Sequence, residues 1–119
     1  MSVRQGDIFW LDLPDPLGSE PGFPRPCVVV QNDVFNHSRI ATVVCCILST
    51  NPALSISPGN VVLRKGEANL EKRSVVNISQ VVTIDRSRLR EKIGTLSEQR
   101  VSEIFAGLMQ IFEPRALPF

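Results

Sequence analysis

The sequence predicts a mainly β domain of the α+β kind, an antiparallel and strongly curved sheet with one terminal helix packed on it. Three observations carry that expectation. Short apolar runs rich in β-branched residues recur along the chain, separated by polar or Pro- and Gly-containing connections. Only one stretch, near the C-terminal end, has a sustained helical period. The length, 119 residues, suits a single domain over 1–119 that buries a core without disulfides or a structural metal.

The elements follow in order. Ile8-Phe9-Trp10-Leu11-Asp12-Leu13 is apolar and aromatic and reads as a strand, closed off by Pro14 and Pro16. From Pro14 to Pro26 there are five prolines and two glycines, the composition of a long semi-rigid loop. Loops of that length inside a compact domain are usually functional. Cys27-Val28-Val29-Val30-Gln31 reads as a buried strand, and Asn32-Asp33 offers an N-cap for one helical turn over Val34-Phe35-Asn36.

The continuous apolar run from Ala41 to Leu48 reads as a central strand buried on both faces. Pro58-Gly59-Asn60 marks a turn before a fourth strand, Val61-Val62-Leu63. Ser74 to Ile84, dominated by Val, Ile and Thr, gives a fifth. Arg86 to Lys92 is basic and reads as a loop or short helix. Ser97 is a good N-cap, and Val101, Ile104, Phe105, Leu108, Ile111 and Phe112 then follow at three-and-four spacing until Pro114. That apolar stripe must dock on the sheet, because a helix of this length is marginal alone.

Composition narrows the function. A charged fraction of 21% and a hydrophobic fraction of 43% are ordinary for a globular protein. A net charge of +1 gives no global field toward nucleic acid or an anionic membrane, so any such affinity must come from local placement of charge. Cys27, Cys45 and Cys46 are odd in number and lie within apolar runs, without ligand spacing, which points to buried thiols rather than disulfides or a zinc site. The first residues hold no long apolar run of a secretory signal, and no stretch nears the ~20 apolar residues of a membrane span. The expectation is a soluble cytoplasmic protein without a membrane partner, metal or cofactor.

Four segments, taken together, resemble the MazF/PemK toxin family. They are Gly6 to Leu13; Gly18-Ser19-Glu20-Pro21-Gly22-Phe23-Pro24-Arg25-Pro26 with the strand to Asp33; Ala41 to Asn51; and Ser74 to Asp85. The Gly-x-Glu…Arg-Pro loop is the most specific of them. The resemblance implies an SH3-like barrel of about five to seven curved antiparallel strands with a C-terminal helix, and a homodimer. It also implies a toxin of a type II toxin–antitoxin system, an endoribonuclease that cuts single-stranded RNA at short motifs and is held inactive by a cognate, MazE-like antitoxin.

The chemistry can be argued from the residues. Cutting RNA without a metal means that a ribose 2′-hydroxyl attacks the adjacent phosphorus, and negative charge gathers on the non-bridging oxygens. A fixed cation and hydrogen-bond donors aimed there supply much of the rate. Arg25 presents a planar, always charged fork that matches phosphate, and its flanking prolines limit its backbone freedom. The plain alternative is a surface arginine paired with an acid such as Glu20.

Ser49 ends the third strand where the family usually has a catalytic threonine. Thr50 follows where the family often has serine, so either hydroxyl is a candidate. Glu20 is placed to orient Arg25 or accept a proton. Some relatives carry an acid–base pair on the fifth strand, but the matching residues here, Asn77 and Ser79, do not titrate near neutral pH. Ser19, Phe23, Asn77 and Gln80 are candidates for holding the substrate, with Phe23 suited to stacking on a base. Trp10, inside a strand, reads as core. His37 reads as a surface residue. Lys65, Lys72, Arg73, Arg86, Arg88 and Arg90 are offered either as the flank of an RNA groove or as solvated turns.

Two other functions compete. One is a binding poison of DNA gyrase similar to CcdB, which acts through a C-terminal end bearing a tryptophan. Here the chain ends Arg115-Ala116-Leu117-Pro118-Phe119 and its only tryptophan is Trp10. The other is a catalytically silent binding member. The loop bearing Arg25 favours RNA cleavage over both.

Overall fold

The computed structural model describes residues 2–12 and 24–115. Within them lie strands β1 (Asp7–Leu11), β2 (Arg25–Val29), β3 (Thr42–Ser49), β4 (Val61–Leu63), β5 (Ser74–Asp85) and β6 (Leu89–Thr95). The helices are α1 (Asp33–Asn36) and α2 (Glu98–Phe112), with short 3₁₀ turns at Pro52–Ile56, Glu67–Asn69 and Arg86–Arg88. The strands form one sheet in the order β4-β5-β3-β2-β1-β6, antiparallel at every pairing. β4 and β6 end the ladder and do not pair with each other among the described residues, so the sheet is curled but open.

Both faces of this sheet carry a core, which explains why the central runs are continuously apolar rather than alternating. Successive residues of each strand go to opposite sides. Ile8, Val28, Cys46, Leu48, Val76 and Ile78 pack on one face with Ile104 and Leu108 of α2. Phe9, Leu11, Cys27, Val29, Val43, Cys45, Ile47, Ile84 and Leu89 form the other core. Each large side chain fully buried there contributes on the order of 1.5–3 kcal/mol. The three thiols are free and buried. Burial pushes that of Cys46 up to about 12, and a hydrogen bond with Cys27 followed by burial raises that of Cys45 further.

The caps form as the residue types require. Asn32 Oδ1 accepts from Val34 N at 2.8 Å and starts α1. Ser97 Oγ accepts from Arg100 N at 3.2 Å and starts α2. The apolar stripe of α2 docks over its first three turns only, since Ile111 and Phe112 remain exposed.

Two boundaries differ from the sequence reading. The segment expected as a basic loop or helix is a 3₁₀ turn at Arg86–Arg88 followed by strand β6 on the free edge of β1. Arg25 and Pro26, expected in the long loop, already belong to β2, where Arg25 pairs with Leu11. The remainder of that loop, 13–23, lies outside the described residues. β5 is irregular where it crosses β3. Cys46 pairs with Val81 but Leu48 with Val76, so Asn77–Gln80 stand opposite Ile47 alone and the strand bends there.

Candidate active site

One cleft of about 590 Å³ opens at the start of β2 and the end of β3. Its apolar floor is a row across three strands. Trp10 of β1 pairs with Pro26 of β2, and the β2–β3 register, Val28 with Cys46, continues to set Pro26 opposite Leu48. Leu70 and Ile93 complete the floor, and all five residues line the cleft. An apolar base with a few convergent polar groups is the usual form of a ligand site.

Arg25 and Ser49 stand at the rim. The β2–β3 ladder pairs Cys27 with Ile47; carried on by two residues at the same register it would set Arg25 opposite Ser49, on the face of Cys27 and Ile47 and alternate to that of the floor residues Pro26 and Leu48. Ser49 ends β3, and its Oγ accepts from Asn51 N at 3.1 Å. The hydroxyl proton is thereby left to donate elsewhere. Strand β3 stops here because Asn51 caps the following turn, its Oδ1 accepting from Ala53 N at 3.0 Å. Thr50 also lines the cleft but is more exposed, and by alternation it falls on the face of Leu48 rather than that of Arg25.

The opposite wall is a strap, the turn Glu67–Asn69, laid on β6. Ala68 and Asn69 both adopt left-handed backbone, with φ of 49° and 64°. Asn69 Nδ2 donates to the carbonyl of Ile93 at 3.0 Å. Glu67 anchors the other end. Its Oε2 accepts from Arg100 Nε at 2.7 Å, and its Oε1 accepts from Arg100 Nη2 at 3.1 Å and from Arg64 N at 3.0 Å. The Arg100 guanidinium holds the Glu67 carboxyl below the usual glutamate range. The strap delivers Glu71 and Lys72 to the cleft, and β6 delivers Glu91 and Lys92. Three basic side chains, Arg25, Lys72 and Lys92, thus face two carboxylates, and placement rather than net charge sets the local potential.

The structure therefore brings together Arg25, Ser49 and Thr50. Ser19, Glu20 and Phe23 lie outside the described residues. Asn77 and Gln80 do not line this cleft. They sit at the irregular part of β5, where Asn77 Nδ2 donates to Gln80 Oε1 at 3.4 Å and Asn77 Oδ1 accepts from Ser79 Oγ at 3.1 Å. Asn60 supports that cluster through a bond from Ile78 N to its Oδ1 at 2.9 Å. His37 is exposed at the end of α1.

Of the basic residues offered as a groove, Lys72 lines the cleft, whereas three others are engaged within the chain. Arg86 donates to the Phe35 and Asn36 carbonyls, Arg88 donates to the Asp12 carbonyl, and Arg90 donates to the Asp12 carboxylate. Trp10, read as core, is half-buried and lines the cleft. Lys92 and Asn69 gave no signal in the sequence, because both reach the site through β6. Among the described residues no group of three or more His, Cys, Asp or Glu is placed to hold a metal ion. Among them also, no helix is long and apolar enough to cross a membrane.

Comparison with known proteins bears on this arrangement. A family model described as a PemK-like, MazF-like toxin of type II toxin–antitoxin systems matches residues 4–112. Endoribonuclease MazF2 of Mycobacterium bovis and endoribonuclease MazF6 of Mycobacterium tuberculosis are each 35% identical over 113 residues, covering 95% of this chain and 99% of theirs. A crystal structure of MazE–MazF from Deinococcus radiodurans superimposes with a TM-score of 0.77 at 19% identity, covering 97% of this chain and 99% of that one. At that identity the superposition speaks for the fold alone.

Proposed function

Because the chain belongs to the family of PemK-like, MazF-like toxins of type II toxin–antitoxin systems, we propose that it is an endoribonuclease toxin that cuts single-stranded RNA without a metal. It works as a single domain over 1–119, in the cytoplasm, as a homodimer, and a MazE-like antitoxin silences it. The observation that supports the chemistry is that Arg25, Ser49 and Thr50 line one cleft with an apolar floor.

The reaction is a transfer within the substrate. The ribose 2′-oxygen loses its proton and attacks phosphorus, the bond from phosphorus to the 5′-oxygen breaks, and that oxygen takes up a proton. A 2′,3′-cyclic phosphate and a 5′-hydroxyl result. Arg25 meets the charge that develops on the non-bridging oxygens, and Ser49 donates its hydroxyl proton to the same group. Glu20 orients Arg25 or accepts the proton of the attacking hydroxyl. Thr50 is the alternative hydroxyl. Ser19 and Phe23 hold the flanking substrate, with Phe23 against a base, and Asn77 and Gln80 meet the RNA further along.

The test is to incubate the purified protein with a long single-stranded RNA in excess EDTA and to map cuts by primer extension beside Arg25→Ala and Ser49→Ala. Discrete cuts that vanish with Arg25→Ala are expected. A folded dimer that makes no cuts overturns the reading, and gyrase poisoning or silent binding would then be examined.

A further inference from the structure

We propose that Lys92 is a second phosphate-binding cation of the cleft, and that the buried carboxylate of Asp7 holds it in place; the proposal rests on the reading that the cleft takes RNA. Lys92 lies on β6 opposite Phe9 of β1, and it lines the same cleft as Arg25. Its Nζ is 3.3 Å from Asp7 Oδ1. The Asp7 side chain is only 2% exposed, whereas that of Lys92 is 48% exposed.

Asp7 has little freedom to move. Its Oδ1 also accepts from Thr95 Oγ1 at 2.8 Å, and its Oδ2 accepts from Arg4 N at 3.0 Å. A buried carboxylate satisfied by several donors is a rigid anchor. An ammonium has three donors, so Lys92 engages Asp7 with one and has two left for further acceptors. The lysine is thus fixed by two paired strands rather than by a loop, which is the arrangement that positions a binding group well.

The register also places it. Arg25 and Lys92 belong to β2 and β6, with β1 between them. Two strand spacings amount to roughly 10 Å. Arg25 pairs with Leu11, whereas the Lys92 ammonium is held at Asp7, four residues further along β1, so Lys92 meets a phosphate that flanks the one at Arg25. Glu71 and Glu91 line the same cleft and oppose an anion there, which makes a second held cation the more necessary.

The probe is a mixed-sequence, fully 2′-O-methylated single-stranded RNA, which cannot be cut because the attacking hydroxyl is blocked. Its Kd is read by fluorescence anisotropy across a potassium chloride series for the wild type, Lys92→Met, Lys92→Gln and Lys92→Arg. Each phosphate contact on a single strand contributes about 0.7 to the slope of log K against log salt. Lys92→Met and Lys92→Gln are expected to weaken binding about tenfold at low salt and to flatten the slope by about 0.7. Lys92→Arg is expected to restore both.

Weaker binding with an unchanged slope marks a purely structural role and overturns the proposal. So does a loss confined to Lys92→Met, which reports a damaged fold rather than a lost charge. A wild type that binds with the expected slope change but makes no cuts in the mapping experiment removes the ribonuclease reading and leaves Lys92 as an anion-binding residue. A wild type that neither binds nor cuts removes both.

Discussion

Gly94 of β6 lies directly under Ala68 of the strap: a Cβ built at Gly94 would stand 2.2 Å from the Ala68 carbonyl oxygen. The strap is seated on the sheet by this close approach and by the bond from Asn69 to the Ile93 carbonyl. Those contacts hold two consecutive non-glycine residues in left-handed backbone, a conformation that an isolated turn would not keep at both positions.

Gly94→Ala is therefore expected to lift the strap and to destabilise the protein by about 1–3 kcal/mol, the usual cost of overpacking. A urea melt reads this as a lower midpoint with an unchanged slope. A midpoint equal to that of the wild type would show that the strap moves away freely, contrary to its tight seating.

Glu67 ties the same strap to α2 and gives it a pH dependence. The Arg100 hydrogen bond chiefly lowers its carboxyl from the usual value; burial opposes this, and the backbone bond from Arg64 adds to the lowering. A depressed folded-state pKa means that the stabilisation is fully present above the ordinary glutamate value and is lost as pH falls through the folded one. Glu67→Gln should cost about 1.5–3 kcal/mol near neutral pH, the scale of a hydrogen bond to a charged group. The difference between wild type and variant should then shrink as pH falls below about 4.3. A gap that stays constant down to pH 3 would assign the effect to packing instead.

The register separates the two hydroxyls at the end of β3. Carried past Cys27 and Ile47, the register would set Ser49 on the face of Arg25 and Thr50 on that of Leu48 in the cleft floor, and Ser49 is the less exposed of the two. Ser49→Ala is expected to lower kcat for RNA cleavage about 10²–10³-fold, the range for losing one donor to a developing oxyanion. Thr50→Val should cost less than about tenfold by the same reasoning. The reverse order would assign the donor to Thr50, which lines the same cleft.

The three thiols provide a test of the two-sided core. All are buried, and burial together with their mutual contacts raises those of Cys45 and Cys46. Thiolate is the reactive form, so none should react with a disulfide reagent such as DTNB in the native protein at pH 8. All three should react once guanidinium chloride unfolds it. Rapid labelling without denaturant would show that one core face opens readily.

Much of the fold was legible in the sequence because its signals are local. The apolar runs at Ile8, Cys27 and Ala41 mark strands whose neighbours bury them, and Asn32 and Ser97 mark helix starts through bonds to residues two and three places on. Arg25, Ser49 and Thr50 were legible as chemical groups for the same reason. Strand β6 was not. Leu89-Arg90-Glu91-Lys92-Ile93-Gly94-Thr95 is an edge strand whose polar side chains face solvent, and it has no apolar period to read.

What makes β6 a strand is pairing with β1, some eighty residues away, and no local propensity encodes that. The same distance hid the cleft. Trp10, Arg25, Ser49, Asn69 and Lys92 meet only because five separate segments share one sheet and one strap. Asn77 and Gln80, sequence neighbours of residues paired with β3, are carried away from it by the bend in β5. The sequence by itself determined which side chains were available for the chemistry and which segments, β6 excepted, were strands. Long-range register alone decided which of those side chains share a face, because a shift of one residue along a strand turns a side chain to the other side of the sheet.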